Sequence, residues 1–442
     1  MNGNQLFKRF LIASTILWAL STLRPAAAFA QGRTWAGESL AQLVETARWK
    51  LGLLRVNGCL DIANAGYDAD IYYGYLDEAV PDFTLAAGLP VQLLVPLSEK
   101  VVVDLYDFPQ YLFFLDTKKE RAWNNRFRGQ THLALERVYL QAGGGLSDVR
   151  NRLSPELDVP VRERTNRLDG LVLWQASRTA SLAAIYGTAD HDFGDASFEG
   201  TDIARALNRK ESFFDLAAYV QPKSRVRFFL DGQYGIYDFV DEGEEVSRDA
   251  QSYGVLGGFD IIPRQGELVG SLGIEGSLSL GYMKFDMKDP RFIDGSGLAG
   301  AVDLSVEIRR RTSVRAHFAK GFQFSVYSGA SFFVTTVYGG GVTRQLSRRA
   351  FIRYDLSFGR ISYPASALGG EVPEGFFSRY TTHTASAEVR LSRDLAMTFF
   401  ATLGKRKLED SDLTGDRNFF GINLIYGRAP ARISAPSRGL AR

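Results

Sequence analysis

The chain has 442 residues, 45% hydrophobic and 23% charged, with a formal net charge of +2 and a mean hydropathy of −0.11. That hydropathy excludes a polytopic helical membrane protein, which needs repeated apolar spans of about 20 residues, and the balanced charge argues against a dedicated nucleic-acid binder. A single Cys excludes an internal disulfide framework and any multi-cysteine metal site, while 44 Gly and 12% aromatic residues fit poorly with two or three soluble domains.

Lys8 and Arg9 precede a mostly apolar stretch from Phe10 to Leu20, and Ala28-Phe29-Ala30 stands before Gln31. A short positive region, a short apolar run and a small-x-small end predict a secretory signal peptide over 1–30. The run is too short for a membrane anchor, and no Cys follows the cleavage point to carry a lipid. Taking Lys8, Arg9 and Arg24 from the 52 Lys+Arg leaves 49 against 50 Asp+Glu, a formal charge of −1 for the exported chain. Residues 31–52 then form an expected periplasmic segment. In it, Leu40, Leu43, Val44, Ala47 and Leu51 recur at helical spacing and predict one short amphipathic helix over Glu38–Leu51.

From Leu54 to Gly427 the period is two. Val226, Phe228, Leu230, Gly232, Tyr234 and Ile236 share one face, opposite Arg225, Arg227, Asp231 and Gln233. Leu298, Val302, Leu304, Val306 and Ile308 oppose Asp303, Ser305, Glu307 and Arg309. A soluble sandwich also alternates. These strands are about ten residues or longer, however, which is what a tilted strand needs to cross a bilayer. Short connections (Leu97-Ser98-Glu99, Pro222-Lys223-Ser224, Ser347-Arg348, Ser392-Arg393-Asp394) mostly alternate with long ones (Tyr72–Pro81, Gly194–Asn208, Asp241–Asp249, Lys288–Ser296, Ser362–Ser378, Lys407–Asp416). Ser328–Ser331 is the exception, short where a long one is due.

The expected fold is therefore all-β: a single up-and-down antiparallel transmembrane barrel over 53–427, with about 18 strands in a range of 16–18. Strand starts fall near Leu54, Asp82, Val101, Arg121, Arg137, Arg164, Ala180, Ser212, Arg225, Gln251, Leu268, Leu298, Ser313, Phe332, Ala350, Tyr380, Leu395 and Asn418. An even count leaves both ends in the periplasm, so residues 428–442 make a basic periplasmic tail. Closure satisfies every backbone N–H and C=O within hydrocarbon. Trp174, Tyr186, Tyr219 and Tyr426 suit interfacial girdles.

Chemistry-bearing clusters are sparse. His132, His191, His317 and His383 are widely spaced; His317 falls on the polar face and His383 on the apolar one. Asp190-His191-Asp192, at an expected outer strand end, could serve a surface protease or bind a metal, but no partner stands at ligand spacing. Cys59 reads as a small packing residue. Gly143-Gly144-Gly145 and Gly339-Gly340-Gly341 lack the following helix and Lys of a phosphate loop. No catalytic, cofactor or metal residue is assigned. Arg225, Arg227, Asp231, Asp303, Glu307, Arg309, Arg315, Arg353, Asp355, Glu388 and Arg390 all fall on the polar face and are the candidate lumen lining. Facing lipid at mid-membrane they would be costly. They either recognise anionic groups, as Arg does well, or pair with one another across strands.

Gly66-Tyr67-Asp68-Ala69-Asp70-Ile71-Tyr72-Tyr73 resembles an early stretch of the beta-barrel porin 2 family, itself similar to outer-membrane barrels of exopolysaccharide and capsule secretion systems. Asp82-Phe83-Thr84 through Gly88-Leu89 looks like its next strand. Asp416-Arg417-Asn418 through Gly421, Asn423 and Tyr426-Gly427 looks like its closing strand. Asp70 stands where that family usually has Asn, and a basic tail follows the last strand where most such barrels end on an aromatic. The resemblance implies a passive conduit or scaffold for a polysaccharide and no enzyme.

Three readings follow. The first is an outer-membrane conduit for an extracellular polysaccharide. The second is a general or small-solute porin, and the third an enzyme or adhesion barrel with a filled lumen. Expected partners are outer-membrane lipid and lipopolysaccharide, a polysaccharide or other polar solute, and periplasmic export components; neither nucleic acid nor a cofactor is expected.

Overall fold

The computed structural model describes residues 35–430, apart from 73–78, 153–155, 158–159, 199–200, 224, 241–246, 262–272, 309–310, 328–329, 364–376 and 409–413. The expected signal peptide, nearly all of the basic tail and Arg309 lie outside the described residues.

One antiparallel sheet forms the wall. Its strands are β1 (Leu54–Asp68), β2 (Asp82–Gly88 and Val91–Pro96), β3 (Val101–Phe114), β4 (Ala122–Ala134), β5 (Val138–Asn151), β6 (Val161–Gln175), β7 (Ala180–Phe193), β8 (Arg209–Lys223) and β9 (Val226–Phe239). They continue as β10 (Ala250–Ile261), β11 (Gly273–Met287), β12 (Gly295–Ile308), β13 (Thr312–Phe324), β14 (Phe332–Gln345), β15 (Ala350–Ser362), β16 (Phe377–Arg390), β17 (Leu395–Leu408) and β18 (Thr414–Arg428). Of the 20 strands in the sheet, two are the halves of β2, interrupted at Leu89-Pro90, and one is a three-residue lead-in, Trp49–Leu51. Eighteen wall strands remain. Pro90 cannot donate to the ladder, so the strand breaks there.

β1 pairs with both β2 and β18, which closes the barrel. Asp68 and Arg417 form a bidentate ion pair across this seam, with contacts of 2.5–3.1 Å. The seam is bulged at Asn64, which has a φ of +54° and donates its backbone N–H to Asn423 Oδ1 at 2.8 Å. Gly66 is required just beyond it, because a Cβ there would lie 2.0 Å from the Phe420 carbonyl oxygen.

Alternation sorts the two faces. On β6, Leu168, Val172 and Trp174 are exposed while Leu171 and Leu173 are buried; on β9, Phe228 and Leu230 are exposed while Phe229 and Asp231 are buried. The exposed apolar series faces lipid, so the buried and polar series faces the lumen. Trp174, Tyr186 and Tyr426 stand on the outer face as expected, but Tyr219 is buried on the inner one.

The N-terminal helix, α1 (Trp35–Glu45), is shorter than the periodicity suggests. Leu51 belongs instead to the lead-in strand, which turns at Gly52 (φ +59°) and pairs with Leu54–Val56. A φ in that region suits glycine, which has no Cβ to clash.

Candidate functional site: the lumen and its two mouths

The short connections mark one end of the barrel, and α1 sits inside it. Ala36, Leu40, Leu43 and Val44 form one buried cluster with Leu94, Val102, Tyr139, Leu171, Leu173, Ala183, Ile185, Ala217, Tyr219 and Phe229. All of these wall residues lie on the inward series of β2, β3 and β5–β9. Burying Leu40, Leu43 and Val44 contributes on the order of 5 kcal/mol. The apolar stripe of this short N-terminal helix is thus satisfied by the inner wall. Behind the helix, Arg48 Nη1 and Nη2 donate to the two carboxylate oxygens of Asp394, in the β16–β17 turn, at 2.7 and 2.8 Å. Arg48 N–H donates to Asn57 Oδ1 at 3.0 Å, and Arg428 donates to the Thr46 carbonyl.

The long-connection end is narrowed differently. β12 and β13 pair only as far as Gly300↔Lys320. Beyond that point the β13–β14 hairpin leans over the lumen. Phe322 and Phe324 pack on Phe285 and Tyr237, inward residues of β11 and β9, with ring centroids 5.3 and 4.9 Å apart. Ser325, Val326, Tyr327 and Ala330, which flank the short Ser328–Ser331 connection, take part in covering the mouth.

Glu156, in the β5–β6 connection, reaches that tip from the far side of the barrel. Ser325 Oγ donates to Glu156 Oε1 at 2.5 Å, Tyr363 OH to the same oxygen at 2.9 Å, and Val326 N–H to Oε2 at 3.0 Å. Leu157 and Val161 pack beside it on Val326 and on Ile203, Ala206 and Leu207 of a second helix, α2 (Ile203–Leu207). Arg248, between β9 and β10, donates to the carbonyls of Ala206, Ser325, Tyr327 and Ala330 at 3.0, 2.8, 2.5 and 3.4 Å. Five connections, β5–β6, β7–β8, β9–β10, β13–β14 and β15–β16, are thereby tied over the mouth. Burial pushes the Glu156 carboxyl up to about 7, against three hydrogen-bond donors and the Arg248 charge that favour ionisation. Burial also raises the Tyr363 phenol, so it stays a donor.

The predicted inward charges divide into two groups. Under the helix, Arg227 donates to Asp260 at 3.0 and 2.7 Å, and both side chains are only about a tenth exposed. Asp231 is buried and accepts from Gln233 Nε2 at 2.8 Å. Arg225 is not in the wall at all; it occupies the short β8–β9 turn. On the opposite side the charges are wet. Arg315 pairs with Asp303 at 2.7 and 2.5 Å with both side chains at least half exposed. Arg353, 60% exposed, donates to Thr343 Oγ1 at 3.1 Å and lies 4.0 Å from Asp355. Arg390, 55% exposed, donates to Glu388 at 2.8 Å. Glu307 is half-buried on β12.

The remaining candidates do not converge. Asp190 and Asp192 are exposed on the outer face, whereas His191 points inward to Glu163 at 2.8 Å and Glu211 at 3.7 Å. Alternation along β7 forbids all three from meeting one ion, and no group of three ligand-type residues placed to hold a metal occurs among the described residues. His132 is buried against Tyr139 OH at 2.8 Å. His317 Nε2 lies 3.5 Å from Ser357 on the inner face, and His383 bonds Tyr354 OH at 2.7 Å on the outer one. Cys59 is buried. Sequence reasoning missed Glu156, Arg248 and Arg48. All three lie in connections, where periodicity carries no signal.

A closed 18-strand barrel with an apolar outer face and a charged, partly wet inner face is an outer-membrane porin-like barrel. The family described as "Putative beta-barrel porin 2" matches residues 183–372, the middle of the wall, away from the end motifs that carry the resemblance in the sequence. No curated protein matches the chain. Among solved structures, the outer membrane protein opdK from Pseudomonas aeruginosa is 12% identical, with 84% of this chain and 98% of that one covered and a TM-score of 0.49. Pseudomonas aeruginosa OpdO is 9% identical, with 84% and 96% covered and a TM-score of 0.46. A BenF-like porin from Pseudomonas fluorescens Pf-5 is 10% identical, with 85% and 97% covered and a TM-score of 0.47.

Proposed function

We propose that the protein is a constricted outer-membrane channel for a polar solute, with the path running along β12–β16. One observation carries this reading: the charges of Asp303, Arg315, Arg353, Asp355, Glu388 and Arg390 stay open to water while the opposite wall is packed by α1. Paired guanidinium and carboxylate groups along a wet wall offer weak, repeated contacts, so a solute can enter and leave without being trapped. A barrel of this size is wide enough for an aqueous path even with part of its section filled. The side chains bind and release, and the reading needs no covalent chemistry.

Export of an extracellular polysaccharide is the finer reading, and the family resemblance favours it. On this geometry a polysaccharide chain passes only when α1 or the Glu156 tie swings aside, so a conduit would be gated. Single-channel recording on refolded protein separates the cases. A small steady conductance that added polysaccharide leaves unchanged supports the constricted solute channel. A conductance that polysaccharide reduces supports the conduit. No conductance under any condition removes both and leaves a filled barrel. The N-terminal export signal belongs to the same proposal and predicts a mature chain beginning at Gln31.

A further inference from the structure

The inner wall of β12–β16 carries its charge unevenly. Toward the long connections its rows are neutral: Ala301, Ala319, Val337, Gly359 and Tyr380 stand opposite one another in turn. The ion pairs lie in the middle and toward the short turns, and each occupies its carboxylate. Asp303 holds Arg315, Asp355 lies by Arg353, and Glu388 holds Arg390.

At the short-turn lip this balance breaks. The ladder runs on past the strand ends: Gln345 N–H donates to the Arg311 carbonyl and Arg390 N–H to the Arg349 carbonyl, both at 2.7 Å. Arg311 thus stands opposite Gln345, and Arg349 opposite Arg390, where the inward series meets the rim. Arg348 and Arg393 flank them in the β14–β15 and β16–β17 turns. All four are exposed and, among the described residues, none has an ion pair. Asp394, the one carboxylate in the described part of these turns, is held by Arg48. Arg390 is held by Glu388 and lies over Phe351, 4.7 Å from its ring centre. Deeper on β12, Glu307 is the one inward carboxylate of β12–β16 without an ion pair among the described residues, against four guanidiniums. Other short turns carry cations too, Arg178 and Arg225 among them, but those stand under the section that α1 packs.

Neighbouring short turns are two strands apart, roughly 10 Å along the rim. Guanidiniums at that spacing suit a solute bearing several oxyanions better than one compact ion, since each planar fork takes one such group. We propose that Arg311, Arg348, Arg349 and Arg393 form a capture site, at the periplasmic mouth of the wet path, for a polar solute carrying several oxyanion groups, which enters from the short-turn side. The inference rests on the channel reading above and adds to it the charge of the solute and its side of entry. Charge of one sign at a mouth concentrates the opposite ion there and speeds its entry. The neutral rows beyond offer an anion no matching hold at the other end.

The test uses full-length protein and two readouts: titration calorimetry in detergent, and single-channel block. Orientation in the bilayer is fixed by a bulky maleimide on Leu97→Cys in the β2–β3 turn, Cys59 being buried. The probes are hexagalacturonate and the neutral maltohexaose. Wild type should bind hexagalacturonate alone, and its current should be blocked from the short-turn face alone. Arg311→Gln with Arg349→Gln should lower both affinity and the on-rate of block by about tenfold at low salt; Arg348→Gln with Arg393→Gln is the second pair should the first prevent folding, checked by heat-modifiable gel mobility. Arg178→Gln should change neither readout. Equal affinity in wild type and the arginine variant, equal affinity for the two probes, or equal block from both faces would overturn the site. Binding that the arginine variant loses, in a barrel that passes no current, would uphold the site and fail the channel reading alone.

Discussion

Arg48 and Asp394, 346 residues apart, form a two-bond ion pair that fastens the stalk of the N-terminal helix to the β16–β17 turn. The pair joins the side of the barrel that holds the helix to the side whose charges face water. Asp394 is 42% exposed, so screening limits its worth to about 0.5–1 kcal/mol. Asp394→Ala should leave the barrel folded but loosen α1, seen as faster proteolysis around Arg48. The swap of Arg48→Asp with Asp394→Arg should recover part of the protection. Identical cleavage rates in all three would mean that the pair does not hold the helix.

The Glu156 tie should respond to pH. Its carboxyl is raised in the folded protein to about 7 from an ordinary value of 4.5. A group raised in this way binds its proton more tightly in the folded state. Its stabilising contribution is complete below about 4.5 and is lost as pH rises through about 7. The difference is roughly 3 kcal/mol. The groups facing it are Arg248, Tyr363 and Ser325. Open-state noise in single-channel records should therefore grow between pH 5 and pH 8, and Glu156→Gln should abolish that dependence while keeping the quiet state. Equal noise across the range in wild type would count against the tie.

Ion selectivity separates the two groups of inward charge. Arg353→Glu with Arg390→Glu should shift the reversal potential toward cation selectivity. Arg227→Glu should not, because Arg227 is buried beneath α1 beside Asp260; it should instead destabilise the wall by about 3 kcal/mol by leaving like charges together. A shift for Arg227→Glu equal to that of the double variant would place the path on the wrong side.

The seam makes a sharper stability prediction. Gly66→Ala puts a methyl group 2.0 Å from the Phe420 carbonyl oxygen, so backbone must move. A loss of about 2–4 kcal/mol is expected, read as a lower temperature at which the folded band on unboiled gels disappears. An unchanged temperature would show that the seam has room there.

The wall was legible because alternation is a local property: an exposed Phe228 beside a buried Phe229 reads the same in one strand as in eighteen. What fills the wall was not. The α1 stripe of Leu40, Leu43 and Val44 announces that it needs an apolar partner, yet nothing in it says that the partner is the inside of β5–β9. The same blindness put Tyr219 in a girdle, since its inner face became apolar only by receiving the helix. Parity alone assigns Arg225 to the wall, but it lies in the turn just before the strand, where parity does not apply. The short Ser328–Ser331 connection was visible as an anomaly. Its cause could have been sought in the nearby Phe322, Phe324, Phe332 and Phe333, too many aromatics for an exposed hairpin.

The most direct test of the account is the unitary conductance of the full exported chain beside a variant lacking residues 31–47. If α1 partly fills a water-lined barrel, the full chain gives small steady openings and the shortened chain openings several-fold larger. Equal conductances, or none from the shortened chain in its folded form, would contradict it.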